Sequence, residues 1–276
     1  MLLALPRPVD LRLTVASHGW VQLAPWRWDS ETGILARAER IGGALATVAV
    51  RQHEPAALMV ESANVPAAGQ AELRRRVERW VSADWDPAAA IAALDEFAAL
   101  IRRGGGRMLR GSSFYEDFVK TVLTINAAWS STCRMAAALV AEPGDGTFPD
   151  PERVLDYGEA RLRERARLGF RAATIIAATR RMLDDGVLDR SGEGRPDYEY
   201  LLRLPGIGPY AAAHCRLLLH DFRRLPVDTV ATAYIRDRHG TDPAAYAARQ
   251  AHWGDYLGLG YRLARLRERL AAASRA

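Results

Sequence analysis

Leu201-Leu202-Arg203-Leu204-Pro205-Gly206-Ile207-Gly208-Pro209-Tyr210-Ala211-Ala212-Ala213 decides how this chain folds. An apolar helical run stops at Pro205-Gly206, and a helix rich in small residues starts behind Gly208-Pro209. The two glycines allow positive φ and close backbone approach. Proline suits the first helical turn, because its missing N–H would lack a partner there anyway. The segment therefore predicts two helices joined by a tight hairpin. N–H groups at the start of the second helix point outward and, with the helix dipole, form a natural phosphate cradle. The same turn serves equally as a plain corner between helices.

A second feature follows. Eighteen residues after Tyr210, Pro226-Val227-Asp228-Thr229-Val230 precedes a helical stretch through Tyr234 and Ile235. Taken alone, Asp228 reads as a helix N-cap, since its carboxylate can accept from the first free N–H groups.

Working outward, Ser112-Ser113 is a good N-cap pair for one or two long helices across 114–139. Helices are expected within 151–166 and 171–184, between loops at 143–151 and 191–196. Upstream, Leu73, Val77, Trp80 and Val81 share a helical face, and Pro87 opens a second helix carrying Ile91, Leu94, Phe97, Leu100 and Ile101. Gly104-Gly105-Gly106 ends it. The first sixty residues have another texture. Asp10 to Ala16 alternates like a half-buried strand, and 32–40, 44–51 and 57–61 are further strand candidates. The fold class expected is α+β, mostly helical, with an N-terminal antiparallel β-sheet domain at 1–65. A helical segment at 66–111, a helical domain at 112–227 ending in the hairpin, and C-terminal helices at 228–276 complete it.

Composition narrows the function. The 276 residues are 49% hydrophobic and 26% charged, which excludes wholesale disorder. Net charge is +5 and the pI is near 9.5, permitting an anionic partner. Lys120 is the single lysine, so any chemistry that needs a lysine amine has one candidate. Cys133 and Cys215 stand far apart with no CxxC, which rules out a zinc ribbon and a four-cysteine iron–sulfur cluster. The opening MLLALP is too short for a signal peptide, and no run is long and apolar enough to span a membrane. A cytoplasmic, monomeric protein is expected.

LPGIGPYAAAHC followed by LPVDTVATAYI resembles the signature of the helix-hairpin-helix DNA glycosylase superfamily. Other segments agree, in family order. Arg107-Met108-Leu109-Arg110 leading into Phe114-Tyr115-Glu116-Asp117 resembles the start of the six-helix domain. Thr124-Ile125-Asn126-Ala127-Ala128-Trp129-Ser130 is similar to the gap-filling segment, and Leu168-Gly169-Phe170-Arg171-Ala172 to the family's LGYRA turn. The N-terminal sheet is similar to the extra domain of the 3-methyladenine glycosylase II and 8-oxoguanine glycosylase branches.

The resemblance implies cleavage of an N-glycosidic bond at a base flipped out of double-stranded DNA, in base excision repair. Asp228 matches the catalytic aspartate, which steadies positive charge on the sugar and orients water. The lysine of bifunctional members falls at Tyr210, which has no amine, so a monofunctional enzyme acting on an alkylated base is expected. A damage sensor without catalysis and a glycosylase/lyase using Lys120 are the alternatives; otherwise Lys120 is expected to be a solvated or phosphate-contacting cation. Aromatic faces attract cationic bases, and Tyr210, Trp129, Trp253, Tyr256 and Tyr261 are candidates for the pocket. Asn126 matches the gap-filling residue, while Gly206, Ile207, Gly208 and Tyr210 match DNA contacts. Backbone carbonyls of Leu202, Leu204 and Ile207 match a site for Na+ or K+. His214 is expected to be structural. The arginines at 153, 161, 163, 165, 167 and 171 are expected to form a solvated helix face.

Overall fold

The computed structural model describes residues 1–273. Five strands form an antiparallel sheet: β1 (Leu2–Ala4), β2 (Arg27–Asp29), β3 (Ile34–Ile41), β4 (Ala44–Glu54) and β5 (Ala57–Ala63), in the order β1-β5-β4-β3-β2. The strands expected at 32–40, 44–51 and 57–61 are present, within a few residues. Asp10–Ala16 is not one of them. Asp10 caps a short helix, α1 (Leu11–Val15), by accepting the Leu13 N–H at 2.9 Å. An N-cap satisfies an otherwise orphaned donor, and here it overrides the alternating pattern. The stretch after it, Gly19–Gln22, is a single 3-10 turn.

Helices account for most of the remaining described residues, with α2 (Gln70–Trp80), α3 (Ala88–Ala93) and α4 (Ala98–Arg102) leading out of the sheet. The helix expected from Pro87 through Ile101 breaks at Leu94, where φ/ψ of −120°/58° leaves the helical region. Trp80, Leu73 and Val77 are fully buried, as the shared face requires. Next come α5 (Phe114–Thr124) and α6 (Trp129–Ala141). Ser113 caps α5 by accepting from the Glu116 N–H. α7 (Pro151–Tyr157) and α8 (Glu159–Glu164) replace the one helix expected there, split by Gly158 at φ +80°. The chain continues with α9 (Arg171–Asp184), α10 (Tyr198–Leu202), α11 (Pro209–Leu218), α12 (Thr229–His239), α13 (Pro243–Arg249) and α14 (Leu257–Ala273). No helix of the described residues is long and apolar enough to cross a membrane.

Buried charge joins the sheet to the helices. Arg37 and Glu39 alternate inward on β3, and both are almost fully buried. Arg37 donates two bonds to Glu116 of α5, at 3.0 and 2.8 Å, and its guanidinium lies 4.4 Å from the Trp26 ring. Lys120, one turn on, donates to the same carboxylate at 2.6 Å and is wholly buried. The single lysine is therefore neither solvated nor a phosphate contact; it neutralises an acid inside the protein. Burial opposes the charged form of Glu116, but Arg37 and Lys120 overcome that cost and hold its carboxyl far below the usual range.

Candidate active site

The hairpin forms as its residues require. Pro205 and Gly206 follow α10, with Gly206 at φ +74°, and Ile207 is buried beneath the turn. A Cβ on Gly206 would sit 2.6 Å from Thr174 Oγ1 of α9, so only glycine lets the turn lie against that helix. Gly208 is the N-cap of α11 with Pro209 in its first turn, and the space at Gly208 is open. The turn is thus anchored on one side and bare on the other, at a helix start where free N–H groups gather. The Leu204 carbonyl accepts the Ile207 N–H at 3.2 Å, which leaves it a second lone pair. Main-chain oxygens of Leu202, Leu204 and Ile207 are the donor chemistry a hard monovalent cation takes.

Asp228 is half-buried at the head of α12. Its Oδ1 accepts the Ala231 N–H at 2.6 Å, so the capping role expected of an isolated aspartate is real. That bond leaves the other carboxylate oxygen unspent. Asp228 also lines two adjoining cavities, of about 710 and 760 Å3, sharing Thr124, Trp129, Tyr210 and Val230 as common wall. Both fall in the range typical of small-molecule sites. Tyr210 projects from the first turn of α11, and its hydroxyl lies 3.2 Å from Thr124 Oγ1. Burial raises the Tyr210 phenol pKa, Thr124 offsets part of that, and Asp228 adds to the rise.

Beyond Tyr210 lies a row of rings. Tyr210 stacks on His214 at 5.9 Å between centroids, His214 meets Trp20 at 5.0 Å, and Trp20 meets His18 at 4.7 Å. Burial drives the His214 pKa down to about 3 and takes His18 well below its ordinary value, so both rings are neutral at physiological pH. Trp129, exposed and lining both cavities, lays its indole against Gly19, where a Cβ would come within 2.5 Å of the ring. Its Nε1 donates to Gln22 Oε1 at 2.5 Å.

Asn126 stands at the rim of the second cavity, exposed between α5 and α6 with φ +47°. Asparagine tolerates that left-handed conformation better than most residues. Arg171 explains how the turn is held. Counted with a solvated face in the sequence, it is instead buried, and its guanidinium donates to the Ile125 carbonyl beside Asn126. The long arm of arginine reaches a carbonyl that no helix satisfies, which offsets its desolvation.

Three of the five aromatic candidates lie elsewhere. Trp253 is buried against Phe97 and donates to Glu96, Tyr261 is buried against Tyr234 and Tyr246, and Tyr256 packs on Phe222. None lines either cavity, because the 3-10 turn at Asp95–Phe97, α12, α13 and the loop after α11 claim them first. Conversely, sequence reasoning missed Arg12, His18, Trp20, Gln22, Trp28, Arg262, Arg265 and Arg269, which with His214 wall the first cavity. Their neighbours in the chain carry no signal, since they meet only when the N-terminal segment folds across α14. Lys120 lines neither cavity.

This architecture, an N-terminal antiparallel sheet on a helical body that carries a hairpin between two helices, is the fold of solved DNA glycosylases. The 3-methyladenine DNA glycosylase of Archaeoglobus fulgidus superposes with a TM-score of 0.71 at 20% identity, over 97% of this chain and 98% of that one. The apo 8-oxoguanine glycosylase/lyase of Clostridium acetobutylicum gives 0.67 at 14% identity, over 94% and 92% of the two chains. The same enzyme with double-stranded DNA containing cytosine opposite 8-oxoG gives 0.65 at 13%, over 99% and 98%. No protein-family model and no curated protein sequence matches the chain.

Proposed function

We propose that this protein is a monofunctional DNA glycosylase of base excision repair that hydrolyses the N-glycosidic bond of a damaged, alkylated base extruded from double-stranded DNA. The observation that carries this reading is Asp228, placed in the wall common to both cavities beside Tyr210. The hairpin turn at Gly206, Ile207 and Gly208 grips a backbone phosphate through its amides, and Asn126 enters the gap left by the base. The damaged nucleotide swings into the cavity beside Tyr210 and Trp129. As the bond from C1′ to the base breaks, the electron pair leaves with the base and positive charge develops on the sugar. The free oxygen of Asp228 stabilises that charge in a partly desolvated site. Water then adds to C1′, its proton passing to the carboxylate, and an abasic site remains. Base protonation and departure complete the balance.

Tyr210 stands where a lyase would carry its amine, and Lys120 is committed to Glu116, so no Schiff base forms. A Na+ or K+ ion on the Leu202, Leu204 and Ile207 carbonyls would brace the turn without entering the reaction. No other cofactor is needed.

The test is a lesion panel in labelled duplexes, resolved with and without alkali. Strand breaks that appear only after alkali, with no adduct trapped by borohydride, support the proposal. Breaks without alkali and a trapped adduct convert it to a lyase; DNA binding with no base release converts it to a sensor. Affinity should fall steeply with salt, because phosphate contacts release counterions.

A further inference from the structure

The cavity closed by the N-terminal segment is strongly cationic. Guanidinium groups of Arg12, Arg262, Arg265 and Arg269 line it against a single carboxylate, Asp228. Elsewhere the protein pairs several buried or half-buried arginines with acids, as at Arg37, Arg79, Arg110 and Arg216, while Arg107 and Arg171 bond carbonyls. The four cavity arginines have no such ion pair among the described residues. Their hydrogen bonds go to neutral groups: Arg12 to the Ser30 carbonyl, Arg265 to the Tyr261 hydroxyl, and Arg269 to the Ala16 carbonyl. Arg262 faces His214 Nδ1 at 3.4 Å, and its Nε is buried without a partner.

The imidazoles do not soften this field, being neutral, and they fix its polarity. A guanidinium only donates, so His214 Nδ1 must accept and the ring proton sits on Nε2. Arg262 is more enclosed than Arg12 and Arg269 and lies against His214, with Tyr210, Tyr261 and Asp228 close enough to act on its charge. Phosphates passing the mouth can engage Arg12 and Arg269, but Arg262 stands among the rings where a base would lie.

We infer that this cavity admits a neutral base bearing hydrogen-bond acceptors, such as an etheno adduct of adenine, and rejects bases made cationic by methylation of a purine ring nitrogen. The inference rests on the glycosylase function proposed above and names its substrate class. It also reverses the expectation that ring faces would draw in a cation. Ring faces do attract cations, but an unpaired guanidinium at contact range in a low-dielectric cavity repels them more strongly.

The experiment measures binding of the unmodified protein to duplexes carrying ethenoadenine or N7-methylguanine on 2′-fluorinated sugars, which resist glycosidic cleavage. The ethenoadenine duplex should bind at least about tenfold more tightly, a difference of one decade in Kd. Arg262→Gln should shrink that preference to about twofold, mainly by tightening the methylguanine complex. Arg265→Gln, nearer the surface, removes the same unit of charge and should shrink it partway, which guards against misfolding of the first variant. Equal or stronger binding of the methylguanine duplex, or a preference untouched by both variants, overturns the inference. Release of bases from ordinary deoxyribose duplexes is read separately. If neither base is released while the binding preference holds, the hydrolytic function falls and the charge selection stands.

Discussion

Replacing Asp228 by asparagine separates the cap it forms from the catalytic charge proposed for it. Asparagine caps helices about as well as aspartate, so the bond to the Ala231 N–H at 2.6 Å survives. What disappears is the charge, together with its attraction to the positive end of α12, worth about 0.3–1 kcal/mol. For a chain of this size that lowers the melting temperature by no more than about 4 °C. The reaction suffers far more. Removing one preorganised electrostatic contact to a developing charge costs about 2.7–4 kcal/mol, or roughly a hundredfold to a thousandfold in rate. Asp228→Ala adds loss of the cap, about 1 kcal/mol of stability, with a similar loss of rate. Single-turnover release of ethenoadenine, followed by alkali cleavage, measures the rate; thermal unfolding measures the rest. Unimpaired release by Asp228→Asn would refute the chemistry assigned to this carboxylate. A large fall in melting temperature alongside lost activity would show that the group is structural only.

Other consequences can be checked as directly. Lys120→Ala uncovers one side of a buried carboxylate and should cost about 3 kcal/mol, read as a lowered urea midpoint, while activity per folded molecule and the absence of borohydride trapping stay unchanged. Tyr210→Lys places an amine beside Asp228 and near Arg262, where neighbouring positive charge favours the free base; a trapped adduct on lesion DNA should appear, and its absence would mean that position 210 does not reach C1′. His214, held neutral down to about pH 3, should make stability depend on acidity. Between its ordinary pKa near 6.5 and that lower value the unfolded chain binds the proton and the folded one does not, so stability falls as pH drops, by up to about 1.4 kcal/mol per unit. Urea midpoints at neutral and mildly acid pH should show the slope, and His214→Leu should make it shallower, with His18 and His220 keeping the remainder; an unchanged slope would contradict the buried neutral ring.

The parts of the fold visible in the sequence are those set by local rules. Pro205, Gly206, Gly208 and Pro209 dictate the hairpin by backbone geometry, and Ser113 and Asp228 dictate helix starts by hydrogen bonding to their own neighbours. Asp10 shows the limit of pattern reading, since its cap competes with an alternation that looks like a strand. Residues whose role depends on distant partners are opaque in the sequence. Lys120 and Arg171 look like surface cations until Glu116 and the Ile125 carbonyl are seen beside them. Trp253, Tyr256 and Tyr261 differ from Trp129 only in which helices pack over them. The site is half legible for the same reason: Asp228, Tyr210, Asn126 and Trp129 belong to motifs, whereas His18 and Arg262 come together through tertiary packing.

Arg269 donating to the Ala16 carbonyl, 253 positions away, ties one wall of the cavity to the other. Bringing such remote segments together costs loop-closure entropy that local helix and hairpin contacts largely avoid. With those segments apart, Asp228 would stand on an open slope, washed by solvent. The cavity around Asp228 is therefore complete only when residues near both ends of the described chain are in place.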